Sequence, residues 1–97
     1  MLNTALAHYV VVTGIVVQEG KYLLVKRAPW EKAFPSKWTV PGGKLEMNDY
    51  LTRQKDTSAH WYAVLEQTLR REIREEVHLE IVDLGYVTSM VFMRSDN

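Results

Sequence analysis

Arg71-Glu72-Ile73-Arg74-Glu75-Glu76 is the stretch on which both the fold and the site turn. On a helix, Glu72, Glu75 and Glu76 stand at i, i+3 and i+4, so three carboxylates share one face. Like charges at that spacing repel by about 0.2–0.5 kcal/mol per pair. Folding does not ask for that arrangement. A hard divalent cation does, because Mg²⁺ is held by carboxylate oxygens together with substrate phosphates. Ion pairing is the plainer explanation: Arg70, Arg71 and Arg74 could pair along the helix with Glu66, Glu75 and Glu76. A second element weighs against it. Pro41-Gly42-Gly43 makes a sharp corner upstream, and glycines let a backbone approach a ligand closely. Helix and corner together point to a metal-dependent site acting on phosphates.

Working outward, Tyr62, Leu65, Leu69, Ile73 and Val77 recur at helical spacing and predict a helix over residues 59–77. Thr57 or Ser58 could cap it. Its apolar stripe lies beside the carboxylate face, so one flank can seat on a sheet while the other faces a cleft. Residues 8–18 are rich in Val, Ile and Thr and predict a strand. Glu19-Gly20 then forms a two-residue hairpin turn into residues 21–27. Residues 28–37 hold Pro29 and Pro35 and should be irregular. Residues 38–40 predict a short strand stopped by Pro41, and residues 42–46 a turn or brief return strand. Residues 47–58 are polar without a period and predict an exposed loop. Strand character returns over residues 79–93, with Gly85 as a bulge or bend.

With 97 residues the chain supports one small domain. A hydrophobic share of 46% and a charged share of 25% are those of an ordinary globular protein. Twelve basic and twelve acidic residues cancel, so no global field draws in nucleic acid or an anionic membrane. Phosphate recognition must then be local. The absence of cysteine excludes disulfides, thiolate metal sites and cysteine nucleophiles. The longest apolar stretch, near residues 9–17, is too short to span a bilayer. The N-terminus lacks signal-peptide features, and a cytoplasmic location is the expectation. Exposed sheet edges would gain from pairing with a second copy, so a homodimer stands beside the monomer as an expectation.

Residues Trp38 to Glu46, Trp-Thr-Val-Pro-Gly-Gly-Lys-Leu-Glu, followed by Arg71-Glu72-Ile73-Arg74-Glu75-Glu76, resemble the signature of the Nudix hydrolases. That family's box is a glycine, five residues, a glutamate, seven residues, then Arg-Glu-apolar-x-Glu-Glu-x-Gly-apolar. The approach through Leu23 to Arg27 and Phe34 to Trp38 is similar too. The resemblance implies an α/β (α+β) fold, a mixed β-sheet with the glutamate helix packed on it. It implies Glu72, Glu75 and Glu76 as Mg²⁺ ligands (Mn²⁺ being the substitute), with the Gly42 carbonyl as a backbone ligand. Arg71 would tie the helix face to the loop through carboxylate contacts. Arg27, Gly43 and Lys44 would meet a nucleotide substrate. One of these glutamates, or one from the C-terminal part that family members carry after the box, would activate the attacking water. The implied reaction cleaves a nucleoside diphosphate linked to another moiety.

Three departures qualify this. Counting back from Arg71, the box's first glutamate falls on Ala63, and the segment after Glu46 is about fourteen residues longer than the pattern. In the family that glutamate supports the arginine, a part that another acid, Glu46 or Asp56, could take here. The closing glycine is His78. Family members also usually exceed a hundred residues, so a 97-residue chain is expected to be a short or incomplete form. These departures motivate a rival reading, a Nudix-like module that binds a nucleotide without cleaving it. An isomerase, as in some relatives, would need a cysteine. Trp30 and Phe34 could stack on a base, while Trp38 is expected in the core; Trp61 and its neighbours should plug the inserted loop onto the body.

Overall fold

Residues 6–32 and 34–92 are described by a computed structural model. Six short strands precede the helix: β1 Val11–Thr13, β2 Val17–Gln18, β3 Lys21–Tyr22, β4 Val25–Lys26, β5 Trp38–Thr39 and β6 Gly42–Lys44. They form three antiparallel pairs, β1 with β6, β2 with β3 and β4 with β5. The α+β arrangement is the one expected, and all ladders among the described residues are antiparallel. β1 opposes β6 in the register Val11↔Lys44, Val12↔Gly43, Thr13↔Gly42. Bonds from Gly14 N to the Pro41 carbonyl (2.9 Å) and from Leu45 N to the Val10 carbonyl (2.8 Å) extend that pair at both ends.

The Glu19-Gly20 hairpin forms as predicted, with Val17 opposite Tyr22 and Gln18 opposite Lys21. Both turn residues have positive φ, 53° and 75°, the backbone that matches strand twist in a two-residue hairpin. The predicted strand over residues 8–18 is interrupted between β1 and β2, where Gly14, still bonded to the Pro41 carbonyl, packs under the helix. Its α-carbon faces Leu69 and Ile73 side chains, which a Cβ would meet at 3.0 and 3.4 Å. Leu69 and Ile73 are the buried hydrophobic side chains of the described residues, each contributing about 1.5–3 kcal/mol by burial.

The helix, α1, runs Val64–Val77 and packs on β1, β6 and a 3₁₀ turn at Met47–Asp49. It starts five residues later than predicted. The preceding residues satisfy their backbone locally instead: Asp56 N and Thr57 N both donate to the His60 carbonyl. Arg53 donates to the Tyr62 carbonyl, and the Trp61 indole donates to the Arg53 carbonyl at 3.0 Å. Trp61 also meets Tyr50 at 5.2 Å between ring centres. The insertion is thus closed on itself: Trp61 meets Tyr50 and Arg53 of the same segment, whereas the sequence suggests a plug onto the body. Both helix ends are left-handed, Ala63 at φ 55° and His78 at φ 58°. His78 stands where a glycine would adopt that backbone more easily.

Two further expectations are corrected. Trp38 is 65% exposed, not core; β5 pairs with β4, and among the described residues no other element packs on it. Residues 79–92 form no strand among the described residues, and Gly85 faces open space. Met93, the end of that run, lies outside the described residues. Apolar alternation specifies a surface that suits a sheet but does not supply the neighbouring ladder. Val82, Tyr86, Val87, Met90 and Val91 accordingly stand exposed.

Candidate active site

The glycine corner meets α1 edge-on. Gly42 N donates weakly to Glu76 Oε1 at 3.3 Å. A Cβ on Gly42 would fall 2.1 Å from the Val12 carbonyl oxygen, so only glycine allows β6 to approach β1 this closely. A Cβ on Gly43 would fall 2.2 Å from the Glu72 carboxyl carbon. The Glu72 carboxylate therefore rests on bare backbone. Any side chain at position 43 would displace it.

Gly42, Gly43, Glu72 and Glu76 line one open cleft of about 510 Å³, shared with Val25, Lys26, Arg27, Ala28 and Glu31. Arg27 reaches Glu31 at 3.4 Å. Burial pushes the Glu72 carboxyl above its ordinary range; the Arg71 charge opposes that shift, and the charges of Glu75 and Glu76 add to it. Three predicted residues, Glu75, Lys44 and Arg71, stand outside this cleft. Glu75 accepts from Arg71 Nη1 at 3.2 Å, the i,i+4 pair that simple charge patterning suggests. The Lys44 ammonium sits over the Tyr9 ring, 4.6 Å from its centre.

Behind the cleft lies a tighter assembly. Arg71 donates through Nε to Asp49 Oδ1 at 2.5 Å and through Nη2 to the Lys44 carbonyl at 3.0 Å. Its Nη1 lies 2.9 Å from Glu72. One guanidinium thus joins the 3₁₀ turn, strand β6 and the glutamate face. The Asp49 side chain is almost fully buried; Oδ2 accepts from the buried Thr68 hydroxyl at 2.8 Å and from Glu46 N at 2.9 Å. The Arg71 hydrogen bond, with help from Glu46 N and Thr68, outweighs burial and lowers the Asp49 carboxyl to about 2. The same contact raises Arg71 further above its already high value.

Asp49 is the residue that sequence reasoning missed. Residues 47–58 are not uniformly an exposed loop, because a buried acid sits near their start. Glu46 is only a distant partner of Arg71, at 3.7 Å, and Asp56 pairs with Arg53 instead. The signal was available. Counted forward from Gly43, five residues lead to Asp49, the position of the box's first acid. Counting backward from Arg71 ran through the insertion and landed on Ala63. The extra residues follow the acid and leave its spacing from the glycine intact.

Among the described residues no three carboxylate or imidazole groups are gathered closely enough to hold a metal ion by themselves. Mg²⁺ does not need that many, since it commonly keeps several waters and takes one or two carboxylates plus substrate phosphates. Two carboxylates on a bare glycine corner, opening to one cleft, fit that donor set.

A family model described as NUDIX domain matches residues 8–97, and the chain belongs to the Nudix family. Among curated proteins it resembles nucleoside triphosphatase NudI of Enterobacter sp. (strain 638), 34% identical over 67 residues, covering 69% of this chain and 38% of that protein. NudI of Escherichia coli (strain K12) is 33% identical over 82 residues, covering 84% of this chain and 48% of that protein. NudI of Salmonella arizonae is 30% identical over the same span, with the same coverage. The chain spans less than half the length of these relatives. No solved structure matches. No helix among the described residues is long and apolar enough to cross a membrane.

Proposed function

We propose that this chain carries the catalytic centre of a metal-dependent nucleotide pyrophosphohydrolase. The carrying observation is the convergence of Glu72, Glu76, Gly42 and Gly43 on one cleft that also holds Lys26 and Arg27. Glu72 and Glu76 would hold Mg²⁺ or Mn²⁺, with the Gly42 carbonyl as a further oxygen ligand and Glu75 beside them at the helix edge. The bound metal would neutralise charge on the non-bridging oxygens and render a water nucleophilic. Lys26 and Arg27, which line the same cleft, would attract the phosphate chain. The Gly43 backbone, having no side chain, lets the Glu72 carboxylate rest against the glycine corner at the cleft. Arg71 acts from behind: anchored on Asp49, it fixes where the Glu72 carboxylate points. The relatives' description as nucleoside triphosphatases agrees with a substrate in which a nucleoside diphosphate carries a further phosphate group.

Glu76→Gln is expected to reduce Mg²⁺-dependent turnover of nucleoside triphosphates by orders of magnitude while circular dichroism stays unchanged. Unaltered turnover in that variant would refute the assignment. The non-cleaving nucleotide-binding module draws support from Glu75 being turned onto Arg71. Saturable nucleotide binding with no product release, with Mg²⁺ or Mn²⁺ present, would favour it.

A further inference from the structure

On the far side of Arg71 from the glutamate cleft, a second cavity of about 200 Å³ is lined by Asn48, Asp49, Thr52, Arg53, Gln67, Arg70, Arg71 and Arg74. Gln67, Arg70, Arg71 and Arg74 are one helical face at i, i+3, i+4 and i+7; Thr52 and Arg53 come from the inserted segment. Four guanidiniums face one carboxylate there, and that carboxylate is already engaged by Arg71, Thr68 and Glu46 N. Arg74 is matched by Glu80 at 2.8 Å. Arg70 forms no direct ion pair among the described residues, though its charge is felt by Glu80; its Nη1 donates to the Ile81 carbonyl at 2.5 Å. Arg53 pairs loosely with Asp56 at 3.4 Å, and its Nε is buried with no hydrogen-bond partner among the described residues. A buried donor left unmade costs free energy, and native structures rarely keep one without a reason.

We infer that this cavity is an anion site for a phosphate group, built by the insertion against the back of the glutamate helix. Guanidinium forks match phosphate oxygens in geometry and charge, and the Asn48 and Gln67 side-chain amides add neutral donors. The volume suits a single phosphate or pyrophosphate, not a nucleic acid strand. The site stands apart from the proposed hydrolysis, because none of Arg53, Gln67 or Arg70 lines the glutamate cleft.

Calorimetric titration of the whole chain in metal-free, chelator-containing buffer, with inorganic phosphate, pyrophosphate and adenosine monophosphate in separate arms, tests it. Saturable binding is expected in at least one arm, weakened about tenfold by Arg70→Gln. Gln67→Glu, an exposed substitution that places a carboxylate on the wall, should weaken it as much without touching the Ile81 contact. Glu76→Gln should leave it unchanged. Binding of the inorganic anions identifies a free-phosphate site; binding of the monophosphate alone identifies an esterified one. Absence of saturable binding in every arm overturns the inference. So does binding indifferent to both cavity variants, or binding abolished by Glu76→Gln.

Discussion

Arg71 and Arg74, three residues apart on α1, each pair with a carboxylate from outside the helix, and the two pairs behave differently. Arg71 meets Asp49 through two donors, and so does Arg74 with Glu80. The Asp49 side chain is 1% exposed and the Glu80 side chain 71%. Buried, the first pair locks three elements together and leaves Asp49 with every polar contact made. In water, the second pair decorates the helix end. The lesson is that an ion pair's worth is set by what surrounds it, since solvent screens the exposed pair and geometry must compensate desolvation in the buried one.

Asp49→Asn tests the buried member most severely. Removing one partner leaves the Arg71 charge uncompensated at its closest contact and is expected to cost about 3–5 kcal/mol. Urea unfolding would show that as a large fall in midpoint. A change no bigger than that of a surface substitution would mean that the two pairs are equivalent after all.

The same contrast should appear against pH. Asp49 has a carboxyl lowered to about 2 in the folded chain, from an ordinary 3.8, so the unfolded chain takes up the proton first as acid is added. Its stabilisation is complete above about pH 5 and is lost as the pH falls through 4 towards 2. The total is about 2 kcal/mol, by the free-energy equivalent of the shift. Stability measured between pH 5 and 2 should fall by that amount, and Asp49→Asn should flatten this part of the curve. A variant curve parallel to that of the unaltered chain would place the acid sensitivity elsewhere.

What could be read in advance divides along the same boundary. Helical spacing of Leu69 and Ile73, the Glu19-Gly20 hairpin and the Arg-Glu-x-x-Glu-Glu face were legible because each is a short-range pattern with one physical solution. Asp49 was not, since an acid in a polar stretch looks solvated until a guanidinium twenty-two residues away closes on it. The helix start was obscured for a related reason: residues 53–62 meet their own backbone needs, which no apolar period records. Residues 79–92 show the converse failure, a strand-like pattern without a partner ladder. Glu75 and Lys44 share the motif in sequence yet lie off the cleft, because adjacent positions on a helix or strand point to different sides.

Glu80→Gln completes the comparison from the exposed side. The Arg74 hydrogen bonds lower the Glu80 carboxyl below its ordinary range, which by itself would argue for a contribution to stability. Full hydration argues against it, because water and salt replace the lost partner for both groups. The unfolding midpoint is therefore expected to match the unaltered chain within error, at low and at high salt. A salt-sensitive loss would show that Arg74 depends on Glu80 to hold its place on the wall of the arginine-lined cavity. Phosphate binding there should then fall in parallel, tying the exposed pair to the anion site in place of the fold.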